Sequence, residues 1–183
     1  MNGDAKTRMA APSRAVHAGE PLGGRSGLYT PAQRRRRDES RWTLVQGILA
    51  PIQFLIFLVS VVLVLRYLAT GNGAAAATAS IVVKTCALYA IMITGSIWEK
   101  VVFGKWLFAK AFFWEDVFSM LVLGLHSLYL IALIGGFGTE RGRMMLALAA
   151  YASYAINATQ FLLKLRAARL QSGATHVTMA MAA

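Results

Sequence analysis

Cysteine is nearly absent. Cys86 is the only one in 183 residues, which excludes a disulfide scaffold. One cysteine and three widely separated histidines also exclude a closed metal cluster. Acidic residues are few: eight Asp and Glu stand against nineteen Lys and Arg, for a net charge of +11. Charged residues make up 15% of the chain, against about 25% in an average soluble domain. Long stretches carry no charge, whereas residues 1–43 hold nine Lys or Arg and four acids. A soluble nucleic-acid binder stripes its charge over a water-exposed fold, so that class is excluded, and nucleic acid with it as a partner. No Gly-rich phosphate loop, nucleophile–base pair or redox-cofactor motif can be read. No secretory signal peptide is expected, because the first apolar stretch is too long and too far into the chain.

What is present is apolar. Hydrophobic residues reach 57%, with a mean hydropathy of +0.53. A helix needs about 20 mostly apolar residues to cross a bilayer core. Four segments meet that requirement: Trp42 to Leu65, Ala79 to Trp98 with Lys84 inside it, Val117 to Thr139, and Met144 to Leu163. Pro51 lies inside the first, and a kink or tightened first turn is expected there. The expected fold is all-α, a polytopic membrane protein with a four-transmembrane-helix bundle. The domain occupies residues 28–170, with spans near 44–68, 79–98, 117–136 and 144–165. Residues 1–27 are expected to be a disordered arm, and residues 171–183 a disordered tail. Fifteen Lys or Arg fall on the side of the N-terminal arm, the central segment and the tail; three, Arg66, Arg141 and Arg143, fall on the other. That bias predicts a multi-pass protein with cytoplasmic termini at both ends. The run Arg34-Arg35-Arg36-Arg37 reads as an anchor on anionic lipid. Lys84 and Arg66 read as snorkelling residues near the outer helix ends, and Lys164 and Arg166 as markers of the membrane boundary.

Polar groups inside spans are costly and are candidates for function. With this topology Gln46, Gln53, Glu99, Glu115, Asp116, Asn157, Gln160 and Lys164 all fall at one level. Asn157, Gln160 and Lys164 share a helix face, as do Glu115, Ser119, Val122 and His126. The amides also have a structural reading, as glue between helices. His126 lies about 16 Å deeper than Glu115 on the same stripe. It is either a satisfied structural histidine or a ligand or proton-transfer group.

The central segment is dense in aromatics. Eight of the nineteen fall between Trp98 and Phe118. Composition alone favours an interfacial belt. Three carboxyls beside the rings, Glu99, Glu115 and Asp116, favour the wall of a pocket for a large flat ligand. Desolvation favours the neutral form of a carboxyl, and a neutral carboxyl can serve as a general acid.

Four blocks carry a family resemblance. They are Leu28-Tyr29-Thr30-Pro31-Ala32-Gln33 with the arginine run and Trp42-Thr43-Leu44-Val45-Gln46-Gly47; Ile97-Trp98-Glu99-Lys100-Val101-Val102-Phe103-Gly104; Phe112-Phe113-Trp114-Glu115-Asp116-Val117; and Asn157 with Gln160-Phe161-Leu162-Leu163-Lys164 through Leu170. In order and spacing they resemble the 2-vinyl bacteriochlorophyllide hydratase family, also called 3-vinyl hydratases. Ala32 and Ser40-Arg41 depart from the family pattern and bear only on the N-terminal arm. The resemblance implies a hydro-lyase that adds water to the C3-vinyl group of chlorophyllide a, or of 3-vinyl bacteriochlorophyllide, to give a 1-hydroxyethyl group. It implies a (bacterio)chlorophyllide substrate that carries its own magnesium, no cofactor and no metal bound by the protein itself. Association with other membrane proteins of pigment biosynthesis is a further expectation. On this reading Glu115 or Glu99 is the acid and Asp116 the base that orients water. Gln53, Asn157 and Gln160 position water. Trp98, Trp106, Phe113 and Trp114 line the macrocycle, and Lys105 or Lys110 holds the propionate. His126 is an axial ligand to the substrate's magnesium or a proton relay. A non-catalytic tetrapyrrole carrier or assembly factor would use the same pocket without proton chemistry. A channel would need a polar stripe to the outer face, which the apolar outer halves lack.

Overall fold

Thr30 opens the first helix with a reciprocal cap. Its hydroxyl accepts from the Gln33 N–H, and its own N–H donates to Gln33 Oε1 at 2.9 Å. Pro31 occupies the first helical turn, where a missing N–H costs nothing. The computed structural model describes residues 28–181, with side chains through residue 167; the expected arm at 1–27 lies outside them. Its helices are α1 (Pro31–Glu39), α2 (Arg41–Thr70), α3 (Ala74–Phe103), α4 (Phe113–Ile134) and α5 (Glu140–Met181). Among the described residues, α2 to α5 are each long and apolar enough to cross a membrane. The fold is all-helical over these residues, as expected, and α1 is an addition. The arginine run forms a short helix, and Ser40 both ends it and caps α2 by accepting from the Trp42 N–H at 3.2 Å. α5 continues through most of the segment read from sequence as a tail. That stretch contains no proline, and Ala, Met and Gln favour helix.

Two turns make antiparallel pairs of the four long helices. Gly71, at φ +73°, ends α2 in a left-handed conformation that other residues adopt only with strain. Thr139 starts α5 by accepting from the Gly142 N–H at 3.0 Å. α2 packs chiefly on α3, and α4 on α5, while α1 lies against α3. α2 runs through Pro51, which leaves the Gly47 carbonyl without its helical partner.

Buried side chains form two apolar groups. Phe57, Val64, Ala77, Ile81, Tyr129, Met144, Ala147 and Tyr151 fill the half nearest the two turns. Tyr29, Val102 and Phe112 form the other group at the α1 end, with Trp98, Phe103 and Phe161 packed on them. Leu44, Ile48, Leu55, Val59 and Val62 of α2 point outward, as side chains facing hydrocarbon do. Arg66 is exposed, but Lys84 is a correction: it is fully buried inside the bundle rather than snorkelling to an outer end. Its position on α3 faces the other helices, so the chain cannot lead its ammonium out along lipid.

Candidate active site

The site is built where α3 ends and α4 begins. Gly104, at φ +79°, stops α3 just after Glu99. The segment 104–112 then crosses to α4, whose first turn carries Glu115 and Asp116. The loop turns back over the carboxyls because they hold its backbone. Asp116 Oδ2 accepts from the Phe108 N–H at 2.7 Å, and Glu99 Oε2 accepts from the Ala109 N–H at 3.3 Å. Phe108 is thereby kept at φ +59°, the one non-glycine residue with positive φ among the described residues. Such a conformation persists only where the surroundings impose it.

Three carboxyls are buried together. Glu99, Glu115 and Asp116 are 5%, 6% and 4% exposed. Glu99 and Asp116 are direct neighbours from two different helices. Glu115 points to α5, where Lys164 Nζ meets its Oε2 at 2.6 Å. Lys164 is therefore a partner of the carboxyl cluster rather than only a boundary marker. The same ammonium lies 4.9 Å from the centre of the Phe112 ring. Deeper in, Asn157 Nδ2 donates to Ser119 Oγ at 2.8 Å, while Asn157 Oδ1 finds no partner among the described residues. Gln53 Nε2 and Gln160 Oε1 are also buried and unpartnered among the described residues.

Aromatic rings wall this cluster. Phe112 is 2% exposed and touches Trp98, Phe103 and Phe161 at ring separations of 5.6, 5.8 and 5.8 Å. Trp98 is further fixed by its indole N–H, which donates to Thr43 Oγ1 at 2.9 Å. Tyr29 stacks on Phe103 at 5.7 Å and carries the Arg37 guanidinium over its ring at 4.8 Å. Burial pushes the Tyr29 hydroxyl above its usual range, and the charge of Arg37 opposes that shift.

The sequence-predicted residues separate into three sets. Glu99, Glu115, Asp116 and Trp98 come together, with Gln53, Asn157 and Gln160 deeper on α2 and α5. Trp106, Phe113 and Trp114 stand on the exposed side of the loop and the α4 start, together with Lys105 and Lys110. They are not part of the buried wall. Trp114 lies two residues from Asp116, which puts it on the far side of α4, and Phe113 is exposed at the helix start. His126 is fully buried about 16 Å along α4 from Glu115 and lies against Tyr151 at a ring separation of 5.8 Å. It is not brought to the carboxyls. Sequence reasoning missed Tyr29 as part of the site, along with the backbone donors of Phe108 and Ala109, and singled out neither Phe112 within the aromatic segment nor Ser119 within its stripe. Ser119 had a signal in its helical spacing from Glu115; the backbone donors had none.

Comparison with known proteins bears directly on this constellation. The profile of the family described as 2-vinyl bacteriochlorophyllide hydratase matches residues 29–167. The chain belongs to that family. A protein of Cereibacter sphaeroides named 2-vinyl bacteriochlorophyllide hydratase is 67% identical over 145 residues, covering 78% of this chain and 89% of its own. One of the same name from Rhodobacter capsulatus is 63% identical over 148 residues, covering 81% and 86%. No solved structure matches the chain. The hydratase family match begins at Tyr29 and ends at Ala167, so it takes in the carboxyl cluster, its aromatic wall, α2 to α4 and the membrane-crossing part of α5.

Proposed function

We propose that the buried Glu99–Asp116 pair is the proton source of a vinyl hydration, with the Glu115–Lys164 ion pair beside it. Family membership makes the chain a hydratase, a hydro-lyase of bacteriochlorophyll biosynthesis. The observation that carries the assignment of residues is the burial of two neighbouring carboxyls from separate helices among aromatic rings. Two such groups side by side hold one proton between them more readily than they hold two negative charges.

The chemistry follows from that arrangement. The protonated member gives its proton to the terminal vinyl carbon of chlorophyllide a or its bacteriochlorin counterpart. The C=C π pair forms the new C–H bond, and positive charge appears on the carbon attached to the macrocycle. The ring system delocalises it, which fixes the position of the hydroxyl. Water then bonds to that carbon and returns one proton to the carboxylate pair, so the product gains one water and the site is restored. Glu115 is less suited to donate a proton, because Lys164 holds it as an ion pair at 2.6 Å. It is suited to stabilise the developing cation as a fixed negative charge. Asn157 Oδ1, Gln160 Oε1 and Gln53 Nε2, which lack partners among the described residues, supply acceptors and a donor for the attacking water.

The same reading orients the molecule. The end holding α1, Lys100, Lys105, Lys110 and Lys164 carries the positive excess, which supports cytoplasmic placement of this end, in a bacterial inner membrane. Arg35 pairs with Glu39 at 2.8 Å and Arg37 with Asp38 at 2.7 Å. Arg34 and Arg36, which have no ion pair among the described residues, are then the better contacts for anionic headgroups. Lys105 and Lys110 beside exposed Trp106 suit a landing surface for an amphiphilic pigment with a propionate.

The test is direct. The purified membrane protein is incubated with chlorophyllide a, and the products are separated and weighed. A mass gain of one water, with loss of the vinyl contribution to the long-wavelength absorption band, is expected. Pigment that binds without either change identifies a carrier and removes the proposed role of the carboxyls.

A further inference from the structure

Away from the carboxyls, the bundle buries a cation at its middle. Lys84 lies ten residues into α3, about 15 Å from its start. It has no exposed surface, and its ammonium meets no hydrogen-bond acceptor or carboxylate among the described residues. It sits 3.8 Å from the centre of the Tyr154 ring, which offsets only part of the cost of burying a charge. His126 of α4 is equally buried and meets the same face of α5, with its ring 5.8 Å from Tyr151, one turn from Tyr154. The His126 Nδ1 lies 2.8 Å from the Val122 carbonyl, so the proton of the neutral ring belongs there. Nε2 is left as a bare acceptor, and it too has no partner among the described residues. The level is completed by Ser60 of α2, which bonds the Tyr151 hydroxyl at 2.5 Å and Ser80 of α3 at 2.7 Å. All four spanning helices send polar groups here.

We propose that Lys84 and His126 form an internal binding site for water at mid-bundle. The site offers a strong donor, the ammonium, and from the facing helix a pure acceptor, the imidazole Nε2, both over one face of α5. An anion would satisfy the first and face the lone pair of the second. Water satisfies both, and buried water characteristically bridges polar groups that the protein leaves unmatched. The pattern continues toward the carboxyls. His126, Ser119 and Glu115 descend α4 on one stripe, in steps of about 10 Å and about 6 Å. At the intermediate level Asn157 bonds Ser119 and keeps Oδ1 unpartnered. The site is thus the inner end of a polar line that leads to the proposed reaction centre. Its connection to catalysis rests on the hydratase reading, because water is a reagent there; the site itself does not.

The experiment is X-ray radiolytic hydroxyl-radical labelling of the full chain in lipid nanodiscs, in ¹⁸O-water and without substrate, read by mass spectrometry. Bound water delivers ¹⁸O to the side chains it touches. Label on His126 and Tyr154 several-fold above lipid-facing Phe54 is expected, falling in Lys84→Met. His126 and Tyr154 labelled no more than Phe54 overturn the site. Lys84→Met is also expected to match or exceed the wild-type melting temperature, since a buried cation is gone, while hydrating at least tenfold more slowly. Unchanged hydration in a Lys84→Met protein that has lost its label overturns the link to the reaction and leaves the hydratase reading intact. Should Lys84→Met not fold, Lys84→Gln carries the same two measurements.

Discussion

Glu99→Gln and Asp116→Asn probe the proposed proton source with little collateral change. Each amide keeps the size of the carboxyl and an oxygen that can accept a loop N–H. Asp116 accepts from Phe108 at 2.7 Å and Glu99 from Ala109 at 3.3 Å, so at most one neutral hydrogen bond is weakened in each variant. That costs about 1 kcal/mol. The proton chemistry is affected far more. A positioned acid or base contributes about 10²–10⁴ in rate, or about 3–5 kcal/mol of barrier. Both variants are therefore expected to fold and melt within a few degrees of wild type, and to lose at least a hundredfold in hydration. Hydration is measured as conversion of chlorophyllide a to the product one water heavier; folding is measured by thermal melting in detergent. If both variants retain more than a tenth of the wild-type rate, the pair is not the proton source. If only one does, the other alone is the donor.

Two further perturbations test the surroundings of that pair. Lys164→Met leaves Glu115 buried without its ion-pair partner and is expected to destabilise the protein by about 3 kcal/mol, whereas the double variant Lys164→Met with Glu115→Gln recovers most of that loss; melting of the four proteins of the cycle decides it, and additive losses contradict the pairing. Phe108→Gly relieves the left-handed conformation at φ +59° and is expected to leave stability unchanged or raise it by about 1 kcal/mol. A clear loss of melting temperature in Phe108→Gly would mean that contact of its ring with Phe113, rather than backbone strain, dominates there.

The legible parts of this protein are those set by hydrophobic length and helical spacing. Apolar stretches of about 20 residues with at most one charge have one outcome in a bilayer, so α2 to α5 could be placed from sequence. The spacing of Asn157, Gln160 and Lys164 put them on one face, and Lys164, read from sequence as a boundary marker, meets Glu115 from it. The illegible parts depend on which neighbour a side chain finds. Lys84 read as a snorkelling residue because its depth was known but its direction around α3 was not. Aromatics from Trp98 to Phe118 read as one wall, yet Phe112 turns inward and Trp114 outward. That division is made where the loop ends and α4 starts, a point that composition does not mark. The hold on Phe108 and Ala109 was invisible because it uses backbone N–H groups, which every residue has.

The carboxyls proposed to move the proton are also the groups that fix the loop above them, and this governs which variants are informative. Alanine at Glu99 or Asp116 would remove a proton carrier and release a loop N–H at once. The loss of activity would then have two causes that no rate measurement separates. Amide variants retain the acceptor oxygen and remove only the proton chemistry. The contrast between Asp116→Ala and Asp116→Asn therefore measures the loop's own contribution. The Phe108 N–H bond is the shorter of the two holds, and it restrains a residue in an unfavourable conformation. Releasing it should free the segment 104–112 more than releasing Ala109 does. Proteolysis within 104–112 is accordingly expected to rise more in Asp116→Ala than in Glu99→Ala, and to stay at the wild-type level in both amide variants.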